Sequence, residues 1–230
     1  MNEFEGTWSY LTTLANWEGE SGIWNRLVEH LQLTITGVGL ACLIALPIAL
    51  VLGHFGRGGT LAINITNVGR AVPVYAILVI LVMGPLGATD LATVVALALF
   101  AIPPIMTNTY VGMREVDPGV VDAARGAGMN GRQIVRRVEL PLAAPLIMNG
   151  VRLAAVQVVA TATIAALVAG GGLGRIITQG FADQNIPQLV SGGIVVAALA
   201  LLLEGVFALI QRATDPRARA RTAGRRLQLR

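Results

Sequence analysis

The chain has 230 residues, of which 54% are hydrophobic and 13% charged, and its mean hydropathy is +0.68. Soluble domains carry about 25% charged residues, so a soluble enzyme or a free-standing binding module is excluded and a polytopic membrane protein is indicated. The net charge of +4 does not point to nucleic acid, because the basic residues, all of them arginine, stand beside apolar runs and not in a separate patch.

Taken in order, residues 1–25 are mixed and hold all three tryptophans, Trp8, Trp17 and Trp24. Tryptophan favours the membrane–water interface, so this segment is expected along an extracytoplasmic surface. It lacks a basic start followed by an apolar core, so no cleavable signal peptide is expected. A first span is predicted at 31–53, then a short turn at 54–60 containing Arg57. A semi-polar helical stretch at 61–70 leads into a second span at 71–83; together they are long enough for a tilted crossing. A third span is predicted at 90–107, a fourth at 141–168 and a fifth at 189–210. Gly170, Gly171, Gly172 and Gly174 break the fourth. The tail beyond carries seven arginines and reads as cytoplasmic. The organisation expected is therefore an N-terminal segment (1–25), a transmembrane domain (26–212) with a polar loop at 113–141, and a basic tail (213–230).

Five spans put Arg57, the polar loop and the tail on one side. The other side holds Glu3, Glu5, Glu18, Glu20, Asp90 and Asp183. The excess of arginine places the loop and C-terminus in the cytoplasm and the N-terminus outside.

The polar loop has an explicit local grammar. Asp117 can cap a helix and Pro118 suits its first position. Val120, Val121, Ala124 and Ala127 then recur at helical spacing. Gly126 and Gly128 weaken and end that helix, with Gly128 where a left-handed cap belongs. Asn130 can cap a second short helix, in which Ile134 and Val138 stack, and Pro141 is expected to stop it. The residues alone leave two further readings open: a helical hairpin that only connects two spans, and a helix-turn-helix, which the flanking spans disfavour.

A transport path needs bendable helices and polar groups facing a cavity. Pro47, Pro73, Pro103 and Pro104 lie in or beside spans, and each frees a backbone carbonyl. Gln157, Thr161 and Thr163 bring polarity to the fourth span, and Thr107 and Asn108 to the third. A threonine hydroxyl bonded back to its own helix is the plainer reading of each threonine. The pairs Gly37/Gly39 and Gly192/Gly193 suggest close helix packing. Glu204 lies inside the fifth span, so it should be paired, with Arg152 and Arg70 as candidates and a structural role preferred. Cys42 lies inside a span, which excludes an intrachain disulfide in a chain with one cysteine. His30 and His54 sit at span edges with no carboxylate pair nearby in sequence. No metal site, cofactor site or phosphate-binding loop is legible, since the glycine run has no following lysine.

The loop resembles a signature of the membrane subunits of ABC importers: Glu-Ala-Ala, three residues, Gly, nine residues, Ile, one residue, Leu-Pro. Here it reads Asp122-Ala123-Ala124, Gly128, Val138 and Leu140-Pro141 at the same spacing, with Asp for Glu and Val for Ile. The resemblance implies an all-α permease of the type I importer fold, not an enzyme, in which the first short helix couples to an ATP-hydrolysing subunit. It also implies ATP used only by that partner, a second permease (identical or homologous), an extracytoplasmic substrate-binding protein, and surrounding lipid of the cell membrane. Ala160 to Gly174, ATATIAALVAGGGLG, together with Arg70-Ala71-Val72-Pro73 and Pro103-Pro104 before Asn108-Thr109-Tyr110, looks like osmoprotectant permeases. Their solutes are glycine betaine, choline, proline betaine or carnitine, and this likeness covers nearly everything after Leu27. The glycine run also resembles methionine-importer permeases, which leaves methionine or another small solute as the alternative. An ATP-independent channel or secondary transporter is the rival outside the class; it would need no docking helix. Quaternary ammonium ligands favour aromatic cages, and with 5% aromatics no cage is evident in this chain; in the family it belongs to the binding protein.

Overall fold

The computed structural model describes residues 2–214 apart from Arg70 and Ala169, and the tail expected at 213–230 lies almost wholly outside the described residues. Among the described residues ten α-helices follow one another: α1 (Glu3–Thr12), α2 (Ile23–Phe55), α3 (Gly59–Gly69), α4 (Val74–Met83), α5 (Asp90–Arg114), α6 (Pro118–Gly126), α7 (Gly131–Ile134), α8 (Leu140–Ala165), α9 (Gly174–Ala182) and α10 (Ile186–Thr214). A π-helical turn, Val135–Glu139, joins α7 to α8. Among the described residues four helical runs are long and apolar enough to cross a membrane: α2, α5, Gly131–Ala165 and α10.

The bundle is built on close backbone approach. On α2, Gly37, Ala41, Ala45, Ala49 and Gly53 recur every four residues, so they form one stripe. The three alanines are fully buried, against Leu97, Ala98, Ala101 and Ile105 of α5. A β-carbon on Gly37 would stand 3.0 Å from that of Leu97, and one on Gly53 would stand 2.5 Å from that of Met113. Lipid gives helices no hydrophobic reason to associate, so small residues that permit tight packing do that work. Ala154, Val158 and Ala162 of α8 close the same cluster from the other side of α5. Of the expected glycine pairs, Gly37 and Gly192 meet neighbours, whereas a β-carbon on Gly39 or Gly193 meets nothing within 4 Å.

Several boundaries differ from expectation, each for a physical reason. The first span starts at Ile23 and not at 31, so the N-terminal segment is shorter; α1 packs on the start of α10, with Trp8 and Trp24 exposed. Residues 61–83 form two helices. Pro73, the N-cap of α4, offers no N–H, and the residue before a proline avoids helical angles. The 10 residues of α4 rise only about 15 Å, half a bilayer core. Pro141 does not stop the second short helix. It sits in the first turn of α8, and the chain stays helical from Gly131 to Ala165. The π turn ahead of it, closed by Leu140 N–H onto Val135 O, absorbs the proline by widening one turn. The helix α9 after the glycine run was not expected. Gly172 (φ +80°) allows the reversal that starts it, and its N–H donates to Glu29 Oε2 at 2.8 Å.

Glu204 pairs with Arg152, one of its two expected partners. Arg152 Nε–H donates to Glu204 Oε2 at 2.8 Å, and its Nη1–H donates to Gln211 Oε1 at 3.0 Å. This clamps α8 to α10 across the apolar zone. His30 lies in the first third of α2 and is fully buried, its Nε2–H donating to Val159 O at 3.0 Å.

Candidate functional site

The polar loop folds by the local rules its residues carry. Asp117 Oδ1 accepts the Gly119 N–H at 2.7 Å, and Pro118 opens α6. The helix ends in a double closure: Gly128 N–H donates to Arg125 O at 2.9 Å, and Met129 N–H to Ala124 O at 3.1 Å. That pattern requires a left-handed residue at Gly128, whose φ is +83°. Asn130 and Gln133 then cap α7 reciprocally, at 3.0 and 2.9 Å.

Beneath the loop, Val116, Val121, Ala124 and Ile134 are buried together, with Met129 and Val138 packed on them. The cluster ties α6, α7 and the π turn into one body. Of the signature residues, Ala124 and Val138 therefore face inward. Asp122 and Ala123 are exposed, as is Gly128. Asp122 accepts from Arg125 Nη1–H at 2.9 Å, an exposed pair of small energetic weight. Leu140 and Pro141 form the first turn of α8. One exposed strip of α6 and its C-cap thus presents Val120, Ala123 and Ala127, small and apolar, beside the exposed Asp122–Arg125 pair.

More than one recess flanks this body. One of about 250 Å³ lies between α6 and the ends of α2 and α5, lined by Val121, Asp122 and Arg125 on one wall and Gly53, His54 and Glu139 on the other. A second, of about 720 Å³, lies beside α7 between Phe55, Arg132, Val135 and Arg136. One contact on the wall of the first was not legible in sequence. His54 Nδ1–H donates to Glu139 Oε2 at 2.7 Å, over 85 positions, a single carboxylate that the histidine's sequence neighbourhood does not show.

The candidate path residues do not gather into either recess. Pro73 is exposed at the start of α4, and Pro103 is buried inside the bundle. Asn108 Nδ2–H donates to Pro104 O at 2.9 Å, and its Oδ1 accepts from Asn149 Nδ2–H at 3.1 Å, joining α5 to α8. Gln157 is half-buried; Thr161 donates to Gln157 O at 2.7 Å and Thr163 to Ala160 O at 2.6 Å, so both hydroxyls are bonded within their own helix. The third polar cluster is at the other end of the bundle. There Arg26, Glu29, Asp90 and Arg175 line a recess of about 460 Å³, and Arg26 pairs with Glu29 at 2.8 Å.

Residues 37–220 match the family described as "Binding-protein-dependent transport system inner membrane component". The chain is 34% identical over 191 residues to the choline transport system permease protein OpuBB of Bacillus subtilis (strain 168), covering 83% of this chain and 88% of that one. It is 34% identical to the osmoprotectant import permease protein OsmY of Salmonella typhimurium, over 82% of this chain and 80% of that one. A solved structure of inward-facing MetNI, a methionine ABC transporter, superposes with a TM-score of 0.72 at 26% identity, covering 82% of this chain and 94% of that one.

Proposed function

Because the chain belongs to the binding-protein-dependent transport system inner membrane component family, it is a multi-pass permease subunit of an ABC importer, and we propose that its solute is an osmoprotectant such as glycine betaine, choline or carnitine. The observation that carries the solute class is the identity of about one third, over four fifths of the chain, to permeases of choline and osmoprotectant import. Identity to the methionine transporter is lower, at 26%.

In this reading one chain supplies half of the translocation path, and a second permease, the same or homologous, supplies the other half. Two separate ATPase subunits hydrolyse ATP, and this chain binds no cofactor. The N-terminus faces outward and the loop faces the cytoplasm, consistent with the arginine distribution. ATPase closure pushes α6, whose apolar face of Val120, Ala123 and Ala127 enters a groove on the ATPase, and the spans reorient around the bound solute. Motif residues Asp122, Ala123, Ala124, Gly128, Val138, Leu140 and Pro141 shape and seat that helix. The path is assigned to the polar side chains of α5 and α8: Asn108, Asn149 and Gln157. Specificity is assigned to the extracytoplasmic binding protein. Trp17 and Trp24 meet at 5.1 Å between ring centroids, but one tilted pair with Trp24 exposed is not a cage around a cation.

Uptake of radiolabelled choline and glycine betaine by cells expressing the complete importer tests the solute. Saturable uptake of one of them, unaffected by a hundredfold excess of methionine, is the expected result. Methionine uptake that choline cannot compete would replace this solute with the other.

A further inference from the structure

We propose that the His54–Glu139 hydrogen bond is the joint that passes displacement of the cytoplasmic loop to α2, so that both residues are positioning residues for transport. The proposal rests on the reading of α6 as the ATPase-docking helix, and it goes beyond that reading by naming where the motion leaves the loop.

The loop body is rigid within itself. Val116, Val121, Ala124, Ile134, Met129 and Val138 share one small core, and the caps at Asp117, Gly128 and Asn130 fix both short helices. A push on α6 therefore moves α7 and the π turn with it. The covalent exits from this body are α5 at one end and α8 at the other. The long first span, α2, has no chain connection to it. Glu139 supplies one through space: it is the last residue of the π turn, 5% exposed, and its carboxylate reaches His54 in the last turn of α2. The other ring nitrogen, Nε2, faces Gly131 at the start of α7, where an added β-carbon would lie 3.5 Å away. His54 is thus held between the two ends of the second short helix.

The surroundings make this contact costly to lose. A carboxylate so little exposed needs a donor, and His54 supplies one, its ring N–H reaching Glu139 Oε2 at 2.7 Å. The α2 terminus ends there in a left-handed cap, with Gly56 N–H bonded to Leu52 O at 2.9 Å, and Gly53 lies hard against Met113 of α5. A rigid end of α2 is in this way gripped from two sides, by the inner end of α5 and by the π turn. In the π turn the helical bonding already departs from the α pattern, and such turns accommodate local shifts at functional positions. The placement of the pair on the wall of the 250 Å³ recess facing Asp122 and Arg125 leaves room for α6 to close against it.

The test uses the complete importer in proteoliposomes and measures solute moved per ATP hydrolysed. His54→Leu removes the donor at similar bulk, while His54→Gln keeps an N–H that reaches a carboxylate. Glu139→Ala and the His54→Leu/Glu139→Ala double variant complete a cycle. The expected result is a ratio lowered at least about fivefold in His54→Leu and in Glu139→Ala, no further loss in the double variant, and a ratio near wild type in His54→Gln. An unchanged ratio in the single variants overturns the proposal, even if less folded importer is recovered, since that is what a merely structural contact gives. Pull-down of the ATPase by the same variants separates the two readings: normal recovery with an unchanged ratio rejects the joint alone, and failure of the wild-type loop to recover any ATPase rejects the docking helix beneath it.

Discussion

Gly128→Val and Ala123→Asp should each abolish solute uptake while the subunit still inserts and folds. The reasons differ. Gly128 holds φ +83° at the closing residue of α6, and a side chain with a β-carbon is penalised there by about 1–2 kcal/mol. No atom lies within 4 Å of where that β-carbon would be, so nothing inside the chain collides with it. The loss falls instead on the trajectory that joins α6 to α7 and on any surface that must approach the backbone closely. Ala123 is exposed on the apolar face of α6 next to Val120, so an aspartate there unfolds nothing and places a charge where a dry contact is proposed. Ala124→Asp is a poorer probe, because Ala124 is 8% exposed and belongs to the small core under the loop. Arg132→Ala, on the solvent side of α7, should leave uptake within about twofold of wild type. Uptake together with ATPase pull-down measures these effects. Normal values for both Gly128→Val and Ala123→Asp would make the loop a plain connector.

Gly150→Val should lower the thermal midpoint of the folded subunit. Its β-carbon would stand 2.8 Å from that of Asn108, 2.9 Å from Pro104 O and 3.3 Å from Ile105 Cα. Two of those atoms are backbone of α5 and cannot rotate away, so α5 and α8 must separate. Overpacking of this kind costs about 1–3 kcal/mol or more. For a chain of this size that lowers the thermal midpoint by roughly 5–10 °C. The separation also strips Asn108 of its bond to Asn149. Gly193→Val is the matched control: it lies in α10 with nothing within 4 Å, and its midpoint should stay at the wild-type value. Equal midpoints for the two variants would mean that α5 and α8 do not approach as described.

What could be read from the sequence follows the range of the interaction. Asp117, Gly128 and Asn130 act on residues at most five positions away, so their caps were legible before any coordinates. The four long apolar runs were legible because hydropathy sums over a whole helix. A buried charge in a span demands an opposite charge, and that narrowed Glu204 to two arginines, of which Arg152 is the partner. Pro141 misled, since a proline can be absorbed by widening one turn as well as by ending a helix. Pro73 had the opposite outcome and divided a stretch that hydropathy joined. His54–Glu139 and Glu29–Gly172 span 85 and 143 positions with no local pattern to mark them. Of the candidate path residues, Thr161 and Thr163 carry their hydroxyls back to their own helix, the plainer of the two readings open to a threonine in a span, because a backbone carbonyl one turn back is always within reach.

This permease is proposed to move solute only when a separate ATPase drives it through the α6 loop. The direct measurement is uptake into proteoliposomes holding the permease and its ATPase, with the binding protein and labelled solute outside and ATP inside. The account predicts accumulation against a gradient that vanishes when the ATPase is omitted, when a non-hydrolysable analogue replaces ATP, or when Ala123→Asp replaces the wild-type chain. Equal uptake by the permease alone, with no nucleotide present, would contradict it and make the chain a channel or a secondary transporter.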